Sequence, residues 1–131
     1  MEKIGIIGSG TWGTAIAVLL VNNGHEVTLW SAIPAEIEEM AKTRTHRNLP
    51  GVTLPEGLIY TADLEKAMAD KDLLVMAVPS VFVRSTAQKM KPFCKDGQLI
   101  VDVAKGIEEN TLDTMTQIIK EELPMAETAV L

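Results

Sequence analysis

Short apolar runs alternate along this chain with segments whose apolar positions follow helical spacing. The runs predict five β-strands and the beginning of a sixth: Ile4–Ile7, Val27–Trp30, Leu58–Tyr60, Leu73–Val78, Leu99–Val103 and Ala129–Leu131. The segments between them predict helices at Thr14–Val21, Ala35–Thr43, Leu64–Met68 (N-capped by Asp63), Val81–Lys91 and Thr111–Leu123. Strand–helix alternation from end to end predicts an α/β fold in which helices cover both faces of a mainly parallel sheet.

The length and composition point to one globular domain. The chain has 131 residues, of which 47% are hydrophobic and 23% charged, so we expect a single domain over residues 1–131. Its longest apolar run, Ala15–Val21, is far short of the ~20 residues that span a bilayer. The last residues fall inside a predicted strand, which favours a sheet truncated in or after its sixth strand.

Charge and cysteine content exclude several classes of function. Acidic residues outnumber basic ones by 18 to 12, and no basic stripe indicates a nucleic-acid surface. The single cysteine, Cys94, excludes a disulfide framework and a cysteine-based zinc site, and we expect no metal. Met1–Lys3 leads directly into an apolar run without the regions of a secretion signal, so we expect a cytoplasmic protein.

The most informative motif is a glycine-rich turn between the first predicted strand and the first predicted helix. It consists of Gly8, Ser9, Gly10, Thr11, Trp12 and Gly13. In a strand–helix–strand unit of about 30 residues, this spacing is the dinucleotide-binding fingerprint of a doubly wound Rossmann fold. Gly8 permits the tight turn, Gly10 lets the backbone approach a pyrophosphate, and Gly13 lets the helix pack near the strand. Free N–H groups and the dipole at the helix N-terminus then attract the anion.

The end of the second predicted strand leaves the choice between NAD and NADP open. The fingerprint usually includes an acidic residue about 20 residues on, which binds the adenosine ribose. Trp30–Ile33 stands there instead, and the next carboxylates, Glu36 and Glu38, fall on the following predicted helix.

Five motifs, in order, resemble those of glycerol-3-phosphate dehydrogenases. They are Gly8–Ala17, His25–Trp30, Asn48–Pro55 with its leucine-proline-glycine loop, Ala77–Phe82 and Val103–Glu108. The resemblance covers essentially the whole chain but only the cofactor-binding half of such an enzyme. It implies reduction of dihydroxyacetone phosphate to sn-glycerol 3-phosphate, a phospholipid precursor, with NADH or NADPH. The family's C-terminal helical domain, with a second lysine and most of the substrate-phosphate site, is absent from this chain.

The resemblance also implies roles for individual side chains. Thr11 and Trp12 match residues that touch the dinucleotide, and Phe82 matches an aromatic that packs against it. Lys105 matches a lysine that reaches both cofactor and substrate. Ala32 stands beside the adenosine, where the family often has arginine, histidine or phenylalanine.

The departure at Ala32 bears on the cofactor. A 2′-phosphate is best bound by a guanidinium, which an alanine lacks, so NAD is slightly favoured over NADP. Arg44 and Arg47, in the following loop, are the arginines that could compensate. We expect the partner to be a small-molecule substrate, and we expect neither nucleic-acid binding nor a membrane span. Whether the protein forms a homodimer is left open.

Each of these interpretations has an alternative. Trp12 and Phe82 could be core aromatics, and Lys105 could be an ordinary solvated lysine. His25 and His46 lie in turns without a second ligand at metal-binding spacing, which indicates structural roles. The chain could also be a stand-alone dinucleotide-binding module that senses redox state without catalysis. A hydroxyacyl-coenzyme A or phosphogluconate enzyme is a third hypothesis, against which the leucine-proline-glycine loop argues.

Overall fold

A computed structural model describes residues 1–131 as one parallel sheet with helices on both faces. The strands are β1 (Lys3–Ile7), β2 (Glu26–Trp30), β3 (Ile59–Thr61), β4 (Leu73–Met76), β5 (Leu99–Asp102) and β6 (Glu127–Val130). The helices are α1 (Thr11–Asn22), α2 (Pro34–Thr43), α3 (Leu64–Met68), α4 (Val83–Met90) and α5 (Met115–Glu122), with 3₁₀ turns at Ser80–Phe82 and Lys91–Phe93. The predicted α/β class is confirmed.

The strand order is β3-β2-β1-β4-β5-β6, and every pairing is parallel. The chain therefore winds outward twice from the centre, first to β3 and then from β4 to β6. β1 and β4 are neighbours. The connection after β1 leads to β2 on one side, and the connection after β4 leads to β5 on the other side. A crevice opens at such a point beyond the carboxyl ends of the strands, and ligands of open α/β sheets bind there.

Central strands are apolar on both faces because each face packs on its own helical layer. Ile7 and Met76 belong to a core shared with α3, α4 and α5. Ile6 and Val75, one position earlier, belong to a second core shared with α1 and α2. Side chains alternate across a strand, so consecutive apolar residues supply both cores. The buried run in β1 and β4 is thus what a two-layered sheet requires.

Several boundaries differ from those predicted. β4 ends at Met76 and not at Val78, and α1 begins three residues earlier than Thr14. β6 begins at Glu127, two residues before the predicted start. No helix is long and apolar enough to cross a membrane.

The start of α5 is the clearest correction. The apolar spacing predicts a helix from Thr111 with Leu112 on the buried face, but α5 begins at Met115. Thr114 caps the helix, and its hydroxyl accepts the Gln117 N–H while the Gln117 side chain accepts the Thr114 N–H. This capping box fixes the start of the helix. Leu112 has a positive φ of 62° and is 74% exposed, so it lies outside the core.

Candidate functional site

The glycine-rich turn passes between the ends of β2 and β4. Gly8 has a φ of +127°, which favours glycine, and its N–H donates to the Trp30 carbonyl at 3.1 Å. A Cβ at Gly8 would lie 2.6 Å from the Ala77 carbonyl carbon and 2.7 Å from the Val78 nitrogen. The turn can therefore follow this path only without a side chain at Gly8.

Gly13 and Gly10 meet different surroundings. A Cβ at Gly13 would overlap the Gly8 carbonyl oxygen and lie 3.1 Å from the Ala77 Cβ, so the predicted close packing of α1 on the turn is confirmed. A Cβ at Gly10 would meet no protein atom within 4 Å. The backbone at Gly10 (φ −67°, ψ −175°) is extended and open to any residue. The chain itself therefore gives no packing reason for a glycine at this position.

The N-terminus of α1 is suited to an anion. Gly10 caps the helix without a side-chain hydrogen bond, and no acidic residue lies in the first turn. The first N–H groups of any helix have no partner within it, and the helix dipole adds positive potential there. α1 has 12 residues and begins at the crevice between β1 and β4. The open side of Gly10 and these free donors together fit a pyrophosphate group.

Two aromatic rings flank the crevice. Trp12, on the first turn of α1, is 61% exposed, and Phe82, in the turn after β4, is 55% exposed. The alternative that they are core aromatics is therefore wrong. Large exposed rings offer flat apolar faces on which another planar group can stack.

Lys105 follows β5 on the same edge of the sheet. It is exposed, and its Nζ donates to the Leu131 backbone oxygen at 2.8 Å. Gly106 has a φ of +121°, and its Cβ position lies 3.7 Å from the Ser80 Cβ. The loop that carries Lys105 thus lies directly beside the turn that carries Phe82.

Asp102 anchors the beginning of the Lys105 loop. Its carboxylate is buried at the end of β5 and accepts the Ala104 N–H at 2.8 Å and the Thr116 hydroxyl at 3.2 Å. Burial raises the pKa of Asp102, while these two hydrogen bonds and the charge of Lys105 oppose the rise. The loop is therefore tied at its start to the first turn of α5.

An arginine clamp, formed by Arg84 and the carboxylates around it, holds the far end of the same loop. The Arg84 guanidinium contacts Glu108 at 2.8 Å, Glu122 at 2.7 Å and Glu121 at 3.0 Å. Hydrogen bonds from Arg84 lower the pKa of Glu108, and the carboxylates raise the pKa of Arg84. The clamp joins α4, which follows the Phe82 turn, to the Lys105 loop and to α5.

The segment that follows β2 at this edge of the sheet offers few free polar groups. The Ser31 hydroxyl is buried and accepts the Ile33 N–H at 3.1 Å, which leaves Ala32 exposed between them. Arg44 turns away to the Leu54 carbonyl at 3.0 Å and to Glu56 at 3.6 Å. Arg47 is exposed in a cleft of about 600 Å³ between α2 and the segment 45–52. Of the two arginines considered for a 2′-phosphate, Arg44 is thus already engaged.

The two histidines have different surroundings. His25 accepts the Glu2 N–H before β2, at the amino end of the sheet. His46 is buried and lies 3.0 Å from the Ser9 carbonyl oxygen in the glycine-rich turn. No group of three His, Cys, Asp or Glu side chains is placed to hold a metal ion.

Comparisons with known proteins agree with this geometry. The family described as "NAD-dependent glycerol-3-phosphate dehydrogenase N-terminus" matches residues 3–131. An NAD(P)+ glycerol-3-phosphate dehydrogenase of Agathobacter rectalis is 52% identical over 132 residues, which cover 100% of this chain and 39% of that protein. One from Lactobacillus delbrueckii subsp. bulgaricus is 54% identical over 123 residues, covering 94% of this chain and 36% of that protein.

A solved structure gives the same result. The glycerol-3-phosphate dehydrogenase of Coxiella burnetii superposes with a TM-score of 0.91 at 28% identity, covering 98% of this chain and 40% of that one. The chain therefore spans about two fifths of the length of the relatives it matches.

The arginine clamp yields a pH-dependent prediction. We expect Arg84→Met to lower the melting temperature at pH 7, and Lys89→Met, which removes an exposed charge from the same helix, to change it little. The pKa of Glu108 is lower in the folded chain than its ordinary ~4.3. The stabilisation from the clamp is therefore complete above the ordinary glutamate pKa. It is lost as the pH falls through the lowered pKa of Glu108 in the folded chain.

Thermal unfolding of the three proteins from pH 7 to pH 3 measures this effect. The difference between wild type and Arg84→Met should shrink below about pH 4. A difference that stays constant over the whole range would contradict the clamp as its source.

Proposed function

The chain belongs to the NAD-dependent glycerol-3-phosphate dehydrogenase N-terminus family, and we propose that residues 1–131 are the dinucleotide-binding domain of an enzyme that reduces dihydroxyacetone phosphate to sn-glycerol 3-phosphate. The observation that carries the proposal is the open, donor-rich N-terminus of α1, set at the crevice between β1 and β4. The product is a precursor of phospholipids. A C-terminal helical domain outside these residues completes the active site.

In the proposed complex, the backbone of the glycine-rich turn binds the pyrophosphate. The N–H groups from Gly10 to Gly13 lie at the N-terminus of α1, where a helix leaves its first donors without partners, and Ser9 and Thr11 stand beside them. Gly8 keeps the turn against β4, so these donors stand directly above the crevice. Trp12 and Phe82 offer their exposed rings to the two sides of the dinucleotide.

A reduced nicotinamide held at this crevice would supply the hydride that reduces the carbonyl carbon of the substrate. The ammonium of Lys105 donates a hydrogen bond to the carbonyl oxygen and stabilises the negative charge that develops there. Asp102 and the arginine clamp hold both ends of the Lys105 loop, so the ammonium is positioned before the substrate arrives.

We further propose NAD as the favoured cofactor. A 2′-phosphate needs a bidentate donor close to the ribose. Ala32 is exposed at that place without one, Ser31 is bonded within its own turn, and Arg44 is held by Leu54 and Glu56. Arg47 is the remaining nearby arginine, and it faces the cleft along α2.

The first test is binding without turnover. A polypeptide of these 131 residues should bind NADH, measured by calorimetry, but should not oxidise it with dihydroxyacetone phosphate. Positioning of both reactants is worth up to ~7–11 kcal/mol of the barrier, and one side of a cleft cannot supply it. Measurable turnover by the clean chain would contradict the division into two domains.

Gly10→Val is the matched variant for this test. Its Cβ meets no protein atom, so the melting temperature should fall by only a few degrees through the poorer helix cap. The added side chain occupies the side proposed for the pyrophosphate, so NADH binding should be lost. NADH binding by Gly10→Val with wild-type affinity would reject the site. The alternative, a redox sensor without catalysis, is tested in the complete protein. A sensor would bind NADH there but would not reduce dihydroxyacetone phosphate.

The second test is cofactor preference. We expect the wild-type chain to bind NADH at least as tightly as NADPH, and Ala32→Arg to improve NADPH binding because it adds the missing guanidinium. Arg47→Ala should leave the ratio of the two affinities unchanged. Calorimetric titration of both cofactors decides; clearly tighter NADPH binding that depends on Arg47 would overturn the proposal.

The third test separates cofactor binding from turnover at Lys105. In a complete enzyme that carries these residues, Lys105→Ala should lower kcat by about 100–1,000-fold, as the loss of one oxyanion donor does. NADH affinity should move only modestly, because the pyrophosphate is bound by backbone N–H groups. Lys120→Ala, an exposed lysine on α5, is the control. Loss of NADH binding with kcat unchanged at saturating cofactor would make Lys105 a cofactor anchor instead.

A further inference from the structure

The buried ring of His46 joins two loops that are far apart in sequence. Its Nε2 lies 3.0 Å from the Ser9 carbonyl oxygen, and its Nδ1 lies 3.1 Å from the Asn48 backbone nitrogen. The residue is only 7% exposed. Both nitrogens of a buried imidazole are thus paired, one with the glycine-rich turn and the other with its own loop.

These two contacts define the tautomer of the ring. The Asn48 N–H can only donate, so Nδ1 of His46 must be the acceptor. In a neutral imidazole the proton is then on Nε2. His46 therefore donates from Nε2 to the Ser9 carbonyl, which can only accept.

The Ser9 carbonyl accepts a second hydrogen bond, from the Thr14 hydroxyl at 3.0 Å. Two donors therefore hold this carbonyl toward the interior. A trans peptide is planar, so the C=O of Ser9 and the N–H of Gly10 point in opposite directions. Fixing the carbonyl inward turns the Gly10 N–H to the opposite side of this peptide, and Gly10 is exposed.

We propose that His46 is a positioning residue for the dinucleotide pyrophosphate. Its Nε2–H orients the Ser9–Gly10 peptide so that the Gly10 N–H already faces the anion before binding. The inference rests on the proposed dinucleotide site and adds a residue that lies outside the glycine-rich turn. A donor arranged in advance favours binding because its orientation costs nothing when the ligand arrives.

The alternative is that His46 only holds the segment 45–52 in place through Asn48. Two substitutions separate these roles. An asparagine places an amide oxygen where Nδ1 lies, so His46→Asn keeps the acceptor for Asn48 and loses the donor to Ser9. A glutamine places an amide nitrogen where Nε2 lies, so His46→Gln keeps the donor to Ser9.

The experiment measures NADH binding and the melting temperature of the wild-type chain and both variants. We expect His46→Asn to bind NADH about tenfold more weakly, the size of one neutral hydrogen bond, and His46→Gln to stay within about twofold of wild type. His25→Asn is the matched control. That histidine also accepts a backbone N–H at 3.1 Å, but it lies at the amino end of the sheet, so NADH affinity should not change.

A second measurement does not depend on cofactor. Nitrogen-15 NMR of the wild-type chain should assign the Nε2–H tautomer to His46, and the Gly10 amide signal should shift in His46→Asn but not in His25→Asn. An Nδ1–H tautomer, an unmoved Gly10 signal, or NADH affinity of His46→Asn within twofold of wild type would overturn the inference. A wild-type chain that shows the expected tautomer but binds no NADH would instead contradict the proposed function.

Discussion

The structure depends on one close approach, where the backbone of Gly8 passes the backbone of Ala77 and Val78 without room for a side chain. The contact brings the end of β1 against the end of β4, and α1 begins immediately afterward. Gly13, in the first turn of α1, is under the same constraint, because a side chain there would overlap the Gly8 carbonyl. Two close contacts of this kind determine where the N-terminus of α1 points. Every group of the proposed site is placed relative to that helix end.

The fold could be predicted from the sequence because its signals are local. The buried runs in β1 and β4 are apolar at consecutive positions, since each face has its own core. The glycine spacing in the first turn is equally local. The prediction fails where a local signal has two possible explanations. Leu112 fits the apolar stripe of α5, but a capping box at Thr114 starts the helix later and leaves that leucine exposed.

The polar contacts that support the site could not be predicted in this way, because they link distant parts of the chain. Arg84 meets carboxylates 24 and 38 positions away, and His46 reaches a carbonyl 37 positions away. Nothing in the spacing of these residues distinguishes them from solvated ones. In the fold His46 is buried and Arg84 is partly buried. The position of His46 in a turn indicates only a structural role. The contact of its ring with the Ser9 carbonyl becomes visible in the fold.

A net charge of −6 does not exclude an anion site at the N-terminus of α1, because the donors and the dipole of a helix end act locally. The first turn of α1 carries no carboxylate, while several acidic side chains gather around Arg84. α1 packs on one face of the sheet, and α4 and α5, which carry the arginine clamp, pack on the other. Exposed charges farther apart than about 8–10 Å are largely screened at physiological salt. The local donors of α1, and not the charge of the whole chain, are therefore what the proposed anion site depends on.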